Sequence, residues 1–121
     1  MSLILPWPPS KLNPNQRTHF RAKAKIASKY KSDCYFLTKA ATLNRGGIIP
    51  DGKVHLYIMF HAPDNRKRDM DNLLSSMKAG LDGIALALGV NDSGFRPVTI
   101  DFGPNVKGGA VRVWFDGKKN V

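Results

Sequence analysis

The chain contains no glutamate: all nine of its acidic residues are aspartates, set against nineteen lysines and arginines. We have no physical account of that all-aspartate choice. It has a single cysteine, Cys34, which excludes an internal disulfide framework and any thiolate zinc cluster. Such a residue reads as a small buried apolar side chain. No stretch approaches the roughly 20 apolar residues that a membrane-spanning helix needs. The opening MSLILPWPPS is apolar for too short a run, and too rich in proline, to be a signal-peptide core. A cytoplasmic protein is therefore expected. The three histidines, His19, His55 and His61, are scattered, so neither a Ser-His-Asp nor a Cys-His nucleophile is suggested. Repeats, linkers and low-complexity segments are missing too, and no organic cofactor is expected.

What the chain does have is charge of one sign. Its formal net charge is +10 and its pI about 10.1. A field of that sign draws polyanions, nucleic acid first among them. This alone does not separate a nuclease from a repressor or an RNA binder. With 121 residues the chain fits one domain, 1–121, able to fold without disulfides or a structural metal.

Leu3 to Leu5 read as a short strand, after which Pro6, Pro8 and Pro9 forbid helix and central strand alike. From about Thr18 to Ala41, Ile26, Ala27, Tyr30, Cys34, Leu37 and Ala41 recur at helical spacing. Arg21, Lys25 and Lys29 form a basic stripe on another face of that helix, equally readable as solvated surface or as DNA contact. Asn44-Arg45-Gly46-Gly47 and Pro50-Asp51-Gly52 supply a helix stop and a turn. Val54 to Phe60 alternate as a strand buried substantially on both sides, with His55 a hydrogen-bonded sheet residue. A second helix is expected from Met70 to Leu88 along one apolar stripe, closed by Gly89. Gly80 and Gly83 weaken it by about 1 kcal/mol each unless close approach compensates. Val98 to Phe102 and Ala110 to Phe115 are strand candidates, followed by the basic tail Gly117 to Val121, expected to fray. The fold class is α+β, roughly β-α-β-α-β-β, a mixed sheet packed on two helices. Trp7 reads as a core residue in preference to a wall of the site.

The chemistry concentrates at Arg66-Lys67-Arg68-Asp69-Met70-Asp71-Asn72, between strand and helix. Two carboxylates at i and i+2 point about 200° apart within a helix. They converge only if Asp69 is still extended, as an N-cap, while Asp71 lies in the first turn. The same placement is ordinary helix-start chemistry, so spacing alone leaves both readings open. Three features favour a site. Asp71, Ser75, Lys78 and Asp82 form a polar stripe on which a lysine can steady a phosphate or a leaving oxygen. Asp92 follows the helix in a Gly-containing loop able to fold back. Arg66, Lys67 and Arg68 draw phosphate to the place where a cation would be held. Magnesium accepts such hard oxygen ligands beside a scissile phosphate, where it polarises the phosphoryl oxygen and acidifies an attacking water.

Leu5-Pro6-Trp7-Pro8-Pro9-Ser10 with Asn13, then Arg68-Asp69-Met70-Asp71-Asn72-Leu73, then Asn91-Asp92-Ser93, then Lys107-Gly108-Gly109 follow one another along nearly the whole chain. In that order they resemble the RusA family of crossover-junction endodeoxyribonucleases of bacteria and their prophages. The resemblance implies a hydrolase acting in DNA recombination and repair. It would be a homodimer that binds four-way (Holliday) junctions and makes paired symmetric nicks with Mg2+, for which Mn2+ can substitute. By position, Asp69, Asp71 and Asp92 take the metal-ligand and catalytic roles. The family often carries a lysine four residues after the second Asp, where this chain has Ser75; Lys78 is the expected replacement. A further Asp is common where Asn91 stands. Arg21, Lys25, Arg66, Lys67, Arg68 and Lys107 are the expected phosphate contacts. Two rivals remain: a nuclease preferring forks or flaps, and a basic branched-DNA binder without catalysis.

Overall fold

A computed structural model describes residues 2–17, 19–43 and 54–116; the side chains of Asp92 and Asp116 lie outside what is described. The sequence-based turns at 44–47 and 50–52 and the basic tail at 117–121 fall outside the described residues.

Four strands form one mixed sheet in the order β1-β4-β2-β3, built from β1 (Ser2–Pro6), β2 (Val54–His61), β3 (Phe95–Phe102) and β4 (Ala110–Asp116). β4 runs antiparallel to both β1 and β2, whereas β2 and β3 are parallel. Pro6 closes β1 on the sheet edge, where a missing N–H is harmless. Alternation decides which way the sheet faces. Leu3, Leu5, Val54, Leu56, Ile58, Phe60, Val111 and Val113 are all buried on one side, where they meet the helices. The intervening residues of β2, from His55 onward, are half-buried and face the other way. The burial expected on both sides of this strand is complete on one side only.

Helix α1 (Phe20–Thr42) buries Tyr30, Cys34 and Thr38. Burial pushes the Cys34 thiol up to about 12, so it behaves as an apolar filler. The expected single helix over Met70–Leu88 is two helices, α2 (Met70–Ser76) and α3 (Lys78–Leu88), with Met77 between them at φ −84°, ψ −8°. The Met77 N–H reaches both the Leu73 and the Leu74 carbonyl, at 3.1 and 3.0 Å, which tightens the turn out of α geometry. The apolar stripe continues unbroken across the junction, so periodicity carries no sign of it. α3 packs on α1, and Gly83 is the reason it can: a Cβ there would collide with the carbonyl oxygen of Lys31. Gly89, at φ 72°, ends α3 in the left-handed conformation. Among the described residues no helix is long and apolar enough to cross a membrane.

Candidate nuclease site

The end of the sheet where β1 and β2 finish and β4 begins brings two loops together. The first is the proline-stiffened segment after β1. Its turn is closed by the Leu12 N–H donating to the Pro9 carbonyl at 2.9 Å, and by the Asn15 N–H donating to Asn13 Oδ1 at 2.9 Å. The second is the segment after β2 that leads into α2. Between them lies a hollow of about 450 Å3, lined by Trp7, Asn13, Asn15 and Gln16 from the first segment. Arg66, Lys67, Arg68, Asp69 and Asn72 line it from the second segment and α2.

Arg68 holds the second wall in shape. One of its nitrogens donates to the Asp64 carboxylate at 2.9 Å, and another to the carbonyls of Asp64 and Arg66 at 3.2 and 3.0 Å. Its side chain is only 16 % exposed, and its guanidinium lies over the Trp7 ring at 5.4 Å. The Arg66 backbone N–H and the Arg68 guanidinium together hold the Asp64 carboxyl below the usual carboxylate range. Trp7 is half-buried. It meets Phe60 edge-on at 5.8 Å and is backed by Gly109, whose φ of 77° and lack of a Cβ admit the indole. The residue is thus both core and wall, where the sequence favoured core alone.

Asp69 occupies the N-cap of α2 with extended backbone, φ −77° and ψ 131°, and its carbonyl accepts the Leu73 N–H. Its carboxylate makes no capping bond; it accepts a single 3.3 Å hydrogen bond from the Asn72 side chain. Asp71 lies in the first turn, exposed, accepting from the following Asn72 N–H at 3.1 Å. This is the extended-then-helical placement that two aspartates two residues apart require in order to converge. Asp92 begins a 3-10 turn, Asp92–Gly94, after α3, and its carboxylate lies outside the described atoms. Among the described residues no group of three or more histidine, cysteine or acidic side chains gathers.

The remaining sequence-based residues are dispersed. Lys78 lies in a neighbouring hollow of about 520 Å3 with Ser75, Lys23 and Phe20, and its ammonium meets Asp82 at 3.1 Å. Ser75, Lys78 and Asp82 of the polar stripe line this second hollow together, and Asp71 is not among its lining residues. Arg21 and Lys25 are exposed on α1, outside the first hollow, with Arg21 over the Phe20 ring at 5.9 Å. Lys107 is exposed two residues before Gly109. The histidines are structural: His19 accepts the Arg21 N–H, His55 meets Thr99 at 2.6 Å, and His61 meets the Pro104 carbonyl at 2.8 Å. Sequence reasoning missed Asp64, whose i,i+4 spacing to Arg68 was the available signal. It also missed Tyr30, whose hydroxyl donates to the Pro6 carbonyl at 2.7 Å and contacts Met77 Sδ at 3.3 Å.

Known proteins are similar to this chain in sequence. The chain is 36 % identical over 89 residues to the crossover junction endodeoxyribonuclease RusA of Shigella sonnei, covering 71 % of this chain and 68 % of that protein. The chain belongs to the RusA family. The RusA of Escherichia coli K12 is 35 % identical over the same shares, and that of Enterobacteria phage 82 is 34 % identical over 70 % of this chain and 67 % of its own length. An uncharacterized protein of Xylella fastidiosa is 34 % identical over 94 residues, and the match spans 61 % of that relative's length. No family model matches the chain. In this chain Arg68, Asp69, Asn72 and Leu73 of the Arg68-Asp69-Met70-Asp71-Asn72-Leu73 motif line the first hollow, Asp71 is not among its lining residues, and Ser75 lines the second.

Proposed function

We propose that this chain is a divalent-metal-dependent endodeoxyribonuclease that resolves four-way DNA junctions by paired symmetric nicks, acting as a homodimer. The observation that carries the reading is the Asp69 carboxylate. It stands at a helix start without serving as its cap, in a hollow walled by Arg66 and Lys67. An acid with no structural task beside two exposed cations suits a cation-assisted phosphate site better than a bare DNA-binding surface, where it would repel the backbone.

The donor set fits magnesium. Asp69 and Asp71 offer hard, exposed carboxylate oxygens with one weak and one local hydrogen bond respectively. Asp92 is the third ligand on this reading. The ion, Mg2+ or Mn2+, would supply Lewis-acid polarisation of the phosphoryl oxygen and a more acidic water. The protein's own part is positional. Arg66 and Lys67 hold flanking phosphates, and Arg68, clamped by Asp64, fixes the loop that carries them. In the hydrolysis a water oxygen bonds to phosphorus as the bond to the leaving sugar oxygen breaks. Arg21, Lys25 and Lys107 serve as outlying phosphate contacts. Lys78, held at Asp82, serves a phosphate in the second hollow rather than the reacting one.

The test is a nicking assay on a labelled four-way junction with magnesium, beside a fork, a flap and linear duplex, with Asp71→Asn as control. Symmetric cuts confined to the junction, lost in the variant while binding persists, are expected. Faster cutting of forks or flaps would reassign the substrate. Binding without cuts in magnesium and manganese alike would make the protein a non-catalytic binder.

A further inference from the structure

The second hollow differs from the first in chemistry. It encloses about 520 Å3 and is lined by Leu12 and Pro14 of the turn after β1, by Ala24 and Ala27 of α1, and by Ala79 of α3. That size suits a small planar ligand, and the alanines take up little of it. Phe20 is the aromatic member of the lining and is 71 % exposed. A lone exposed ring is ordinary, but this one is held in place. The His19 ring, fixed by the Arg21 N–H donating to its Nδ1 at 3.3 Å, stacks on it at 5.0 Å. The Arg21 guanidinium lies 5.9 Å from its centre. A restrained ring loses little entropy when a ligand settles on it.

The charge beside that ring is positive. Lys23 and Lys78 line the hollow against one carboxylate, Asp82, which Lys78 already engages at 3.1 Å. The hollow therefore suits a flat apolar group attached to an anion. It also adjoins the candidate nuclease site. The turn after β1 divides its residues between the two hollows: Asn13, Asn15 and Gln16 line the first, Leu12 and Pro14 the second. Ser76 lines both. It ends α2, about 10 Å along the helix from Asp69.

A nucleotide unites those two chemistries, a planar base on a phosphate chain. We infer that the second hollow binds the base of an unstacked nucleotide against Phe20, with Lys23 and Lys78 at its phosphate. A neighbouring phosphate of the same strand then lies in the first hollow. A base inside a duplex is stacked and paired, so it cannot enter; a base freed at a branch or in a single strand can. Stacking on a phenyl ring accepts any base, since each has a π face. The inference rests on the DNA-cleaving function proposed above. It gives that site a second compartment, one for a base where the first takes the reacting phosphate.

Fluorescence anisotropy on the full chain, without divalent metal, tests it. The probes are two labelled single strands of about eight nucleotides, oligothymidylate and its abasic counterpart. Their phosphates are equal in number, so a difference in affinity reports the bases. Wild type is expected to bind oligothymidylate about tenfold more tightly than the abasic strand. Phe20→Ala should lose that preference, and Phe20→Trp should keep it. Thermal melts followed by circular dichroism verify that the variants are folded. A wild type with no preference for the base-bearing strand overturns the assignment. So does a folded Phe20→Ala that retains the preference, or a folded Phe20→Trp that loses it. In each case junction nicking by the wild type leaves the nuclease reading standing. A wild type that neither binds nor nicks a junction removes both ideas.

Discussion

α2 and α3 share one apolar stripe in the sequence but do different work. α3 is built into the core: Gly80, Gly83, Ile84, Ala85 and Ala87 are buried, and its backbone touches that of α1 at Gly83. α2 buries only Leu73 and Ser76 and presents Asp71 and Asn72 at its open end, next to Asp69. The break at Met77 divides a stability element from a site element. A helix that carries the candidate acids can thus be short because its neighbour holds the core.

Substitutions in the two halves should therefore be separable. The largest effect expected is on Asp69→Asn. Loss of a metal carboxylate should slow junction nicking about 100-fold or more, since such interactions supply several kcal/mol in the transition state. Its melting temperature should stay within about 2 °C of wild type, as befits a side chain that caps nothing. A matching loss of stability would show that α2 is structural after all.

Gly83→Val is the mirror case. Its branched side chain meets the Lys31 carbonyl and the Tyr35 amide, so the helices must part, at a cost of about 3 kcal/mol or more. Calorimetry should find the melting temperature lower by roughly 10 °C. Nicking per folded molecule at low temperature should hardly change. A selective loss of nicking would couple the halves.

Lys78→Ala probes the boundary itself. Its ion pair with Asp82 is 70 % exposed on the lysine side, so it contributes well under about 1 kcal/mol to stability. Single-turnover nicking should fall by about threefold or less. A drop near that of Asp69→Asn would return Lys78 to the reacting centre in spite of the helix break.

The smallest effect concerns Asp64, whose carboxyl is held below its ordinary range. A depressed folded value means the Asp64–Arg68 anchor stabilises above the unfolded carboxylate range and is lost as pH falls through the lowered value. Asp64→Asn should therefore lower the melting temperature slightly at neutral pH and converge with wild type in acid. A constant difference across that range would assign the role to the Asp64 backbone instead.

Much of this was legible in the chain. The strands, α1 and the extended N-cap position of Asp69 followed from alternation, helical spacing and residue chemistry, and Gly89 marked where α3 stops. What was hidden depended on contacts across the sequence. Met77 is an ordinary helix residue, and its turn tightens through bonds to two carbonyls at once, which no apolar pattern encodes. Tyr30 reads as a core aromatic, while its hydroxyl joins the end of β1 to the α2–α3 junction. Trp7 reads as core, but the glycine that backs it is about a hundred positions away in sequence.

The strand order carries a consequence for how the molecule comes into being. β1 and β2 are never neighbours; only β4, the last strand, joins them. During synthesis β1 emerges first and stays without a partner until residues 110–116 have left the ribosome. The Trp7 segment hangs from β1 and the Arg66–Asp69 segment from β2, so the hollow between them is finished by the last strand. Long sequence separation of this kind slows folding. It also means that a nascent chain lacks the assembled hollow until its sheet closes.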